Sequence, residues 1–233
     1  MTIRTVAETG STNADVAELA RSGASEGLWL RAERQTAGKG RQGRAWESPA
    51  GNLFASTLVR LRPSDPQPAT LALVAAVAIE DAVSTFLPGR AMLKWPNDLL
   101  IDGAKLCGIL LERVDDAVVI GIGVNLAYHP ENLERPVTSL AAHGVAPDPH
   151  VFLETLAESL QRWIARWRGE GLAPIRDRWT ERAHPIGTAL TAREADGSSH
   201  DGLFGGLTGE GALILRLADG TSRVIHAADV FLI

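Results

Sequence analysis

The 233-residue sequence has a single cysteine, Cys107. One cysteine excludes an intramolecular disulfide framework and a cysteine-based zinc site, and it fits a reducing, cytoplasmic setting. A basic surplus is also missing: 23 Lys and Arg against 28 Asp and Glu leave a formal net charge of −5. Nucleic-acid readers usually carry a basic face, so no nucleic-acid partner is expected. No apolar run reads as approaching the ~20 residues of a membrane helix, so no membrane partner is expected either. The opening Met1-Thr2-Ile3-Arg4-Thr5-Val6-Ala7-Glu8 lacks an apolar core and carries an acid, unlike a signal peptide. Internal repeats and long low-complexity tracts are absent.

What remains is an ordinary globular composition, 45% hydrophobic and 22% charged. The length suits one domain, or one domain with a small appendage. Ser11-Thr12-Asn13 precedes a helical pattern of Val16, Leu19 and Ala20 that Gly23 would close. Leu28 to Glu33 alternates as a strand, and Leu53 to Leu61 reads as a second. The stretch from Ala69 to Phe86, free of Gly and Pro, reads as a buried helix. Met92 to Trp95 reads as a strand. Asp98 to Glu112 is a hairpin around Asp102-Gly103, and Val118 to Val124 is a buried strand. Phe152, Leu156, Leu160, Trp163 and Trp167 share a face of a long amphipathic helix, and a shorter one follows around Ile175 and Trp179. After His184-Pro185, short alternating segments broken by glycine turns predict a small barrel of about five strands. The expected division is therefore residues 1–183 and 184–233, with an α+β first part.

Three clusters carry chemistry. Gly38-Lys39-Gly40-Arg41-Gln42-Gly43-Arg44 puts cations among glycines, where backbone N–H groups can approach a phosphate or carboxylate. It is not a Walker loop, because Gly40 rather than Ser or Thr follows Lys39. A solvated basic hairpin tip fits the same residues. If it is an anion site, its mutually repelling cations and its glycines predict a loop that stays mobile until an anion arrives. Trp46 can stack on a purine or belong to the core. In Lys94-Trp95-Pro96-Asn97-Asp98, a lysine in an apolar setting needs a partner, and Asp98 can supply it. Lys105 lies on the return strand near Gly108. The cluster is either a structural Lys–Asp pair or part of a site. Gly121-Ile122-Gly123-Val124-Asn125 marks either a close ligand approach, with Asn125 on an adenine edge, or a strand ending in a turn.

Together these segments resemble biotin–protein ligases, in order and approximate spacing, from about residue 4 to 183 and more loosely beyond. Lys-Trp-Pro-Asn-Asp followed by Lys105-Leu106-Cys107-Gly108-Ile109-Leu110 is the most specific part. The resemblance implies a fold related to class II aminoacyl-tRNA synthetases, with a small C-terminal SH3-like barrel. It implies that biotin attacks the α-phosphate of Mg·ATP to give biotinyl-adenylate, and that a carrier-protein lysine then displaces AMP. By matched position, Ser11, Thr12, Asn13 and Gln35 hold the ureido ring and valerate region of biotin, and Lys39, Gly40 and Arg41 cover biotin and the phosphate. Lys105 is the main electrostatic catalyst. Arg41 joins it, and Asp98 is a candidate base for the carrier lysine. Arg44, Lys94 and Asn97 fall in the nucleotide set, Trp46 and Asn125 shelter adenine, and Gly108 and Gly123 admit close backbone approach. No residue is assigned as a metal ligand. Many family loops carry arginine where Lys39 and Gln42 stand, so this loop has less charge and less bidentate geometry.

The family implies a biotin carboxyl carrier domain of acyl-CoA carboxylase as partner, and homodimers occur in it. With only ten residues before Ser11, a minimal, monofunctional ligase without a DNA-binding domain is expected. A lipoate–protein ligase shares the logic, but the polar Ser11-Thr12-Asn13 and Gln35 suit a ureido head better than an apolar lipoyl chain. A non-enzymatic adenylate-binding module would be expected to have lost its lysine, and Lys105 is present.

Overall fold

The computed structural model describes residues 1–131, 133 and 135–233. A seven-stranded sheet is built from β1 (Thr2–Thr9), β2 (Leu28–Gln35), β3 (Leu53–Arg60), β4 (Ala91–Lys94), β5 (Asp98–Ile101), β6 (Ala104–Val114) and β7 (Ala117–Val124). The strand order is β1-β2-β3-β7-β6-β5-β4. Only β1 and β2 run parallel, joined by helix α1 (Thr12–Arg21); the other pairs are antiparallel hairpins and a crossover. The fold is thus α+β, as expected, and its large sheet is mixed. β1 was not legible, since it is polar and largely exposed. The Asp102-Gly103 turn forms as expected, with φ of 50° and 81° at its two residues.

Strand alternation divides the sheet into two faces. On one face Leu53, Ala55, Val59, Ile120, Ile122 and Val124 meet helices α2 (Leu71–Phe86) and α3 (Pro149–Glu170) in the main core. On the other, Leu30, Leu58 and Val119 pack beneath Val16, Ala17 and Ala20 of α1. The remainder of that second face is left for the site.

The expectation that no apolar stretch reaches membrane length is corrected by Pro68–Phe86. It is 19 residues with a mean hydropathy of 1.6. The reason is burial of most of the helix: α2 packs against the sheet, α3 and α4 (Ala173–Arg182). Its Glu80 is 1% exposed and is held by Arg178 at 2.9 Å and Arg182 at 3.7 Å.

A second sheet of five antiparallel strands follows: β8 (Ala189–Arg193), β9 (Ser199–Leu207), β10 (Leu213–Arg216), β11 (Ser222–Ile225) and β12 (Asp229–Leu232), in the order β11-β10-β9-β8-β12. Its core is continuous with the first. Phe204 stacks edge-on to Trp179 at 6.3 Å, and Trp95 Nε1 donates to the Gly211 carbonyl at 3.1 Å.

Because Glu80 is almost fully buried, removing its nearest cation leaves a poorly compensated charge. Arg178→Ala should cost about 3 kcal/mol and lower the thermal midpoint by several degrees. A midpoint equal to wild type in a calorimetric scan would show that Arg182 suffices alone.

Candidate active site

One row of paired residues crosses four hairpin-linked strands and reaches β3 on the open face of the large sheet. Lys94 pairs with Asp98, Asp98 with Gly108, Gly108 with Gly123, and Gly123 with Phe54. The next row sets Ser56 opposite Gly121 and Gly121 opposite Leu110. These rows floor a cleft of about 1010 Å³ whose walls are the N-terminus of α1, the glycine-rich loop and strand β12.

At one end lies a buried polar network. Gln35 Oε1 accepts from Thr12 N at 2.8 Å and from Thr12 Oγ1 at 3.1 Å. Thr12 Oγ1 meets Ser56 Oγ at 2.7 Å, Ser56 Oγ donates to Asn13 Oδ1 at 2.6 Å, and Asn13 Nδ2 donates to Glu112 Oε2 at 2.7 Å. The chain satisfies polar groups that burial would otherwise penalise. Ser11 sits at the N-cap of α1 but makes no capping bond, which leaves its hydroxyl for the cleft it lines. Gly121 leaves the space that Asn13 occupies, since a Cβ would fall 2.0 Å from Asn13 Oδ1. Ser56 and Glu112 were not singled out in the sequence. The available signal was a hydroxyl in the middle of an apolar strand.

The centre is occupied by Trp46. The close approach expected at Gly108 and Gly123 is made, but by this indole: an added Cβ would lie 3.0 Å and 2.7 Å from it. Trp46 is therefore neither a plain core residue nor free, and its buried Nε1 has no acceptor.

The cationic end is built around Asp98, which is 6% exposed. Its Oδ1 accepts from Lys105 Nζ at 2.5 Å, and its Oδ2 lies 3.4 Å from Lys94 Nζ. Lys105 reaches this face through a register shift between β5 and β6. Leu106 and Cys107 both turn into the core, so Lys105 shares the cleft face with Gly108 three residues on. The backbone of Lys105 is fixed from the other side by Pro136 O and Thr138 N, each at 2.9 Å. Burial pushes the Asp98 carboxyl up, but Lys105 and Lys94 outweigh it and hold it below its ordinary range. Burial pulls the Lys105 ammonium below its ordinary range; Asp98 opposes this, and Arg135 reinforces it. Both oxygens of Asp98 thus face ammonium groups, and a carboxylate held down in this way is a weak base. The expectation that Asp98 takes a proton from an acceptor amine therefore gives way to a role in holding Lys105 and Lys94.

Lys39 and Gly40 line the cleft from the loop, which folds back through Gly40 N to Arg44 O at 2.7 Å and Trp46 N to Gly38 O at 3.0 Å. Arg44 is not the unpaired charge expected from sequence, since it pairs with Asp229, whereas Arg41 Nη1 donates to the neutral Asn97 Oδ1 at 3.2 Å. Asn97 also donates to Ile109 O at 2.7 Å, which places it behind Arg41 as a brace.

The structure brings every sequence-predicted site residue to the cleft except Asn125. Asn125 is 4% exposed and lies outside the cleft lining, and its Nδ2 donates to Thr138 O at 3.0 Å, which pins the end of β7. Arg135, Arg193, Asp229 and Phe231, which complete the rim, carry no local motif that marks them.

Comparison with known proteins agrees with this layout. A family model described as Biotin/lipoate A/B protein ligase family matches residues 8–125, and one described as Biotin protein ligase C terminal domain matches residues 186–233. A biotin--[acetyl-CoA-carboxylase] ligase of Paracoccus denitrificans is 44% identical over 97% of this chain and 98% of its own length. The enzyme of the same name from Mycobacterium tuberculosis is 37% identical over 97% and 86%. A solved biotin protein ligase from Aquifex aeolicus, in complex with biotin and ATP, superposes with a TM-score of 0.90 over 100% of this chain and 99% of its own, at 23% identity. With nearly full-length relatives above a third identical and both halves matched, the chain belongs to the biotin/lipoate A/B protein ligase family.

Proposed function

We propose that the protein is an ATP-dependent ligase that joins biotin to a lysine of a biotin carboxyl carrier domain. The observation that carries this reading is the single row that sets the Lys94–Asp98 pair beside the two glycines, within one cleft whose far end is uncharged and polar. Biotin's ureido ring is neutral and suits the hydroxyl and amide groups of Ser11, Thr12, Asn13 and Gln35. Its carboxylate then points toward Lys105, Arg41 and Lys39.

In the first step a carboxylate oxygen of biotin attacks the α-phosphorus of Mg·ATP. A C–O–P anhydride forms, the bond to the β-phosphate oxygen breaks, and pyrophosphate leaves. Two anions must meet, and Lys105 lowers that barrier because its charge is already desolvated and oriented. Mg²⁺ would enter with the triphosphate and be held mainly by phosphate oxygens. In the second step the neutral carrier amine attacks the acyl carbon, a C–N bond forms as the C–O bond breaks, AMP leaves with that electron pair, and the surplus amine proton passes to solvent. Arg41 and Arg44 hold the phosphate, Trp46 borders the nucleotide, and Asp98 keeps Lys105 and Lys94 in place.

The finer assignments belong to the same reading. Residues 1–183 form a class II aminoacyl-tRNA synthetase-like catalytic part, and residues 184–233 an SH3-like β domain. The protein works in the cytoplasm, which the free buried thiol of Cys107 suits. Homodimerisation is proposed from the family alone.

Incubation with ATP, Mg²⁺, biotin and a carrier domain should add the mass of one biotinyl group to the carrier. An unchanged carrier mass overturns the reading, and transfer of lipoate in preference to biotin favours the neighbouring ligase class. Lys105→Ala should slow pyrophosphate release by about 10²–10³ while calorimetric biotin affinity stays near wild type; normal pyrophosphate release would remove Lys105 from the chemistry. Gly121→Ala should push Asn13 off Ser56 and weaken biotin binding by roughly 10–100-fold. Unchanged affinity in the same titration would place the ureido ring elsewhere.

A further inference from the structure

Three consecutive residues at the start of β12 each hold a cation of the cleft. Ala228 O accepts from Arg41 Nη1 at 3.4 Å, the Asp229 carboxylate pairs with Arg44, and Val230 O accepts from Lys94 Nζ at 3.0 Å. The cations come from two separate segments, the glycine-rich loop and the end of β4. The strand that receives them is fixed. β12 pairs with β8 along its whole length, from Asp229↔Arg193 to Leu232↔Leu190, and Ala228 and Val230 are each 3% exposed.

The loop is the compliant partner. Gln42 and Gly43 take left-handed φ of 57° and 72°, and Gly38 is needed because a Cβ would lie 2.7 Å from Ser48 Oγ and Trp46 O. A loop of this kind must be ordered each time it covers a ligand, and anything that orders it beforehand reduces the loss on binding. Two of the three β12 contacts are main-chain carbonyls. Asp229 supplies the one side chain, and it does so from the C-terminal sheet across 185 residues of sequence. Its charge is spent on Arg44, so it does not leave a free carboxylate to repel phosphates.

We propose that Asp229 is a positioning residue: by anchoring Arg44 it holds the Gly38–Arg44 loop over the cleft, so that the biotinyl-adenylate is retained until the carrier lysine arrives. The role rests on the ligase reading above. It makes the C-terminal sheet a part of the site that controls how long the intermediate stays bound.

Limited trypsin digestion of the ligand-free protein, mapped by mass, reads the anchor without any activity. Asp229→Asn should speed cleavage after Arg41 by about three- to fivefold, the range of a partly exposed ion pair, and Asp229→Glu should restore protection. Asp229→Asn combined with Arg44→Gln should be no more sensitive than either single variant, since both remove one contact. In turnover, Asp229→Asn should raise the KM for ATP more than it lowers kcat. It should also increase labelling of a bystander amine relative to the carrier domain. Wild-type cleavage in Asp229→Asn overturns the anchor, and faster cleavage without greater bystander labelling overturns its role in retention. If the wild-type protein makes no biotinyl-adenylate, the ligase reading falls instead, and the digestion still reports whether the anchor exists.

Discussion

The cleft depends on one buried carboxylate shared by two ammonium groups. Lys105 is 8% exposed and Asp98 6%. Either would lose its charge if buried alone, because desolvation favours the neutral form of both. Together they oppose that loss, Lys105 holding the Asp98 carboxyl below its ordinary range, and Lys94 takes the second oxygen of Asp98 at 3.4 Å. The arrangement makes demands on three levels of structure. Pairing of β4, β5 and β6 must bring Lys94, Asp98 and Gly108 into one row, the β5–β6 register shift must turn Lys105 to that face, and the C-terminal sheet must receive Lys94 from behind. A change in any of these separates charges that cannot be buried apart.

This explains why the two sheets share a core although their sequence textures differ. The strands that follow His184-Pro185 form the five-stranded antiparallel sheet, whereas those before it form the mixed sheet. The junction does not mark an energetic boundary. His184 and Trp179 both pack against Phe204, and Gly211 lies where a Cβ would meet Leu73 of α2 at 2.8 Å. Local composition reports turns and strand length, whereas the continuity of apolar contacts depends on what is packed against what.

The same distinction governs what could be read of the site. Elements with a strong hydrophobic period were legible, such as α3 and the hairpin at Asp102-Gly103, and so were site residues gathered in short motifs. Lys105 and Gly108 were legible as site residues but their shared face was not: they are three apart, strict alternation would put them on opposite faces, and only the extra residue in the ladder reconciles them. Two kinds of residue were not legible at all. Ser56 and Glu112 become partners because Asn13 lies above Gly121, a contact across 43 and 99 residues. Asp229 and Arg193 belong to strands whose local pattern is that of any small β domain. In the opposite direction, Asn125 fits its motif, and its backbone surroundings consume its amide.

The glycines show most directly how space is turned into chemistry. In the sequence, Gly108, Gly121 and Gly123 mean only that something comes close. In the structure, Gly121 admits Asn13 and completes the polar network, while Gly108 and Gly123 admit the indole of Trp46. That indole lies 5.5 Å, centroid to Nζ, from Lys105. A ring face there attracts the ammonium and displaces water from it. Lys105 therefore meets Asp98 on one side and an aromatic face on another, and its orientation is set before any ligand arrives. When negative charge grows on an attacked phosphorus, a cation already stripped of water and already aimed has little left to reorganise. The paired glycines of β6 and β7 are thus part of how the lysine acts, because without them the tryptophan could not reach the floor on which the lysine leans.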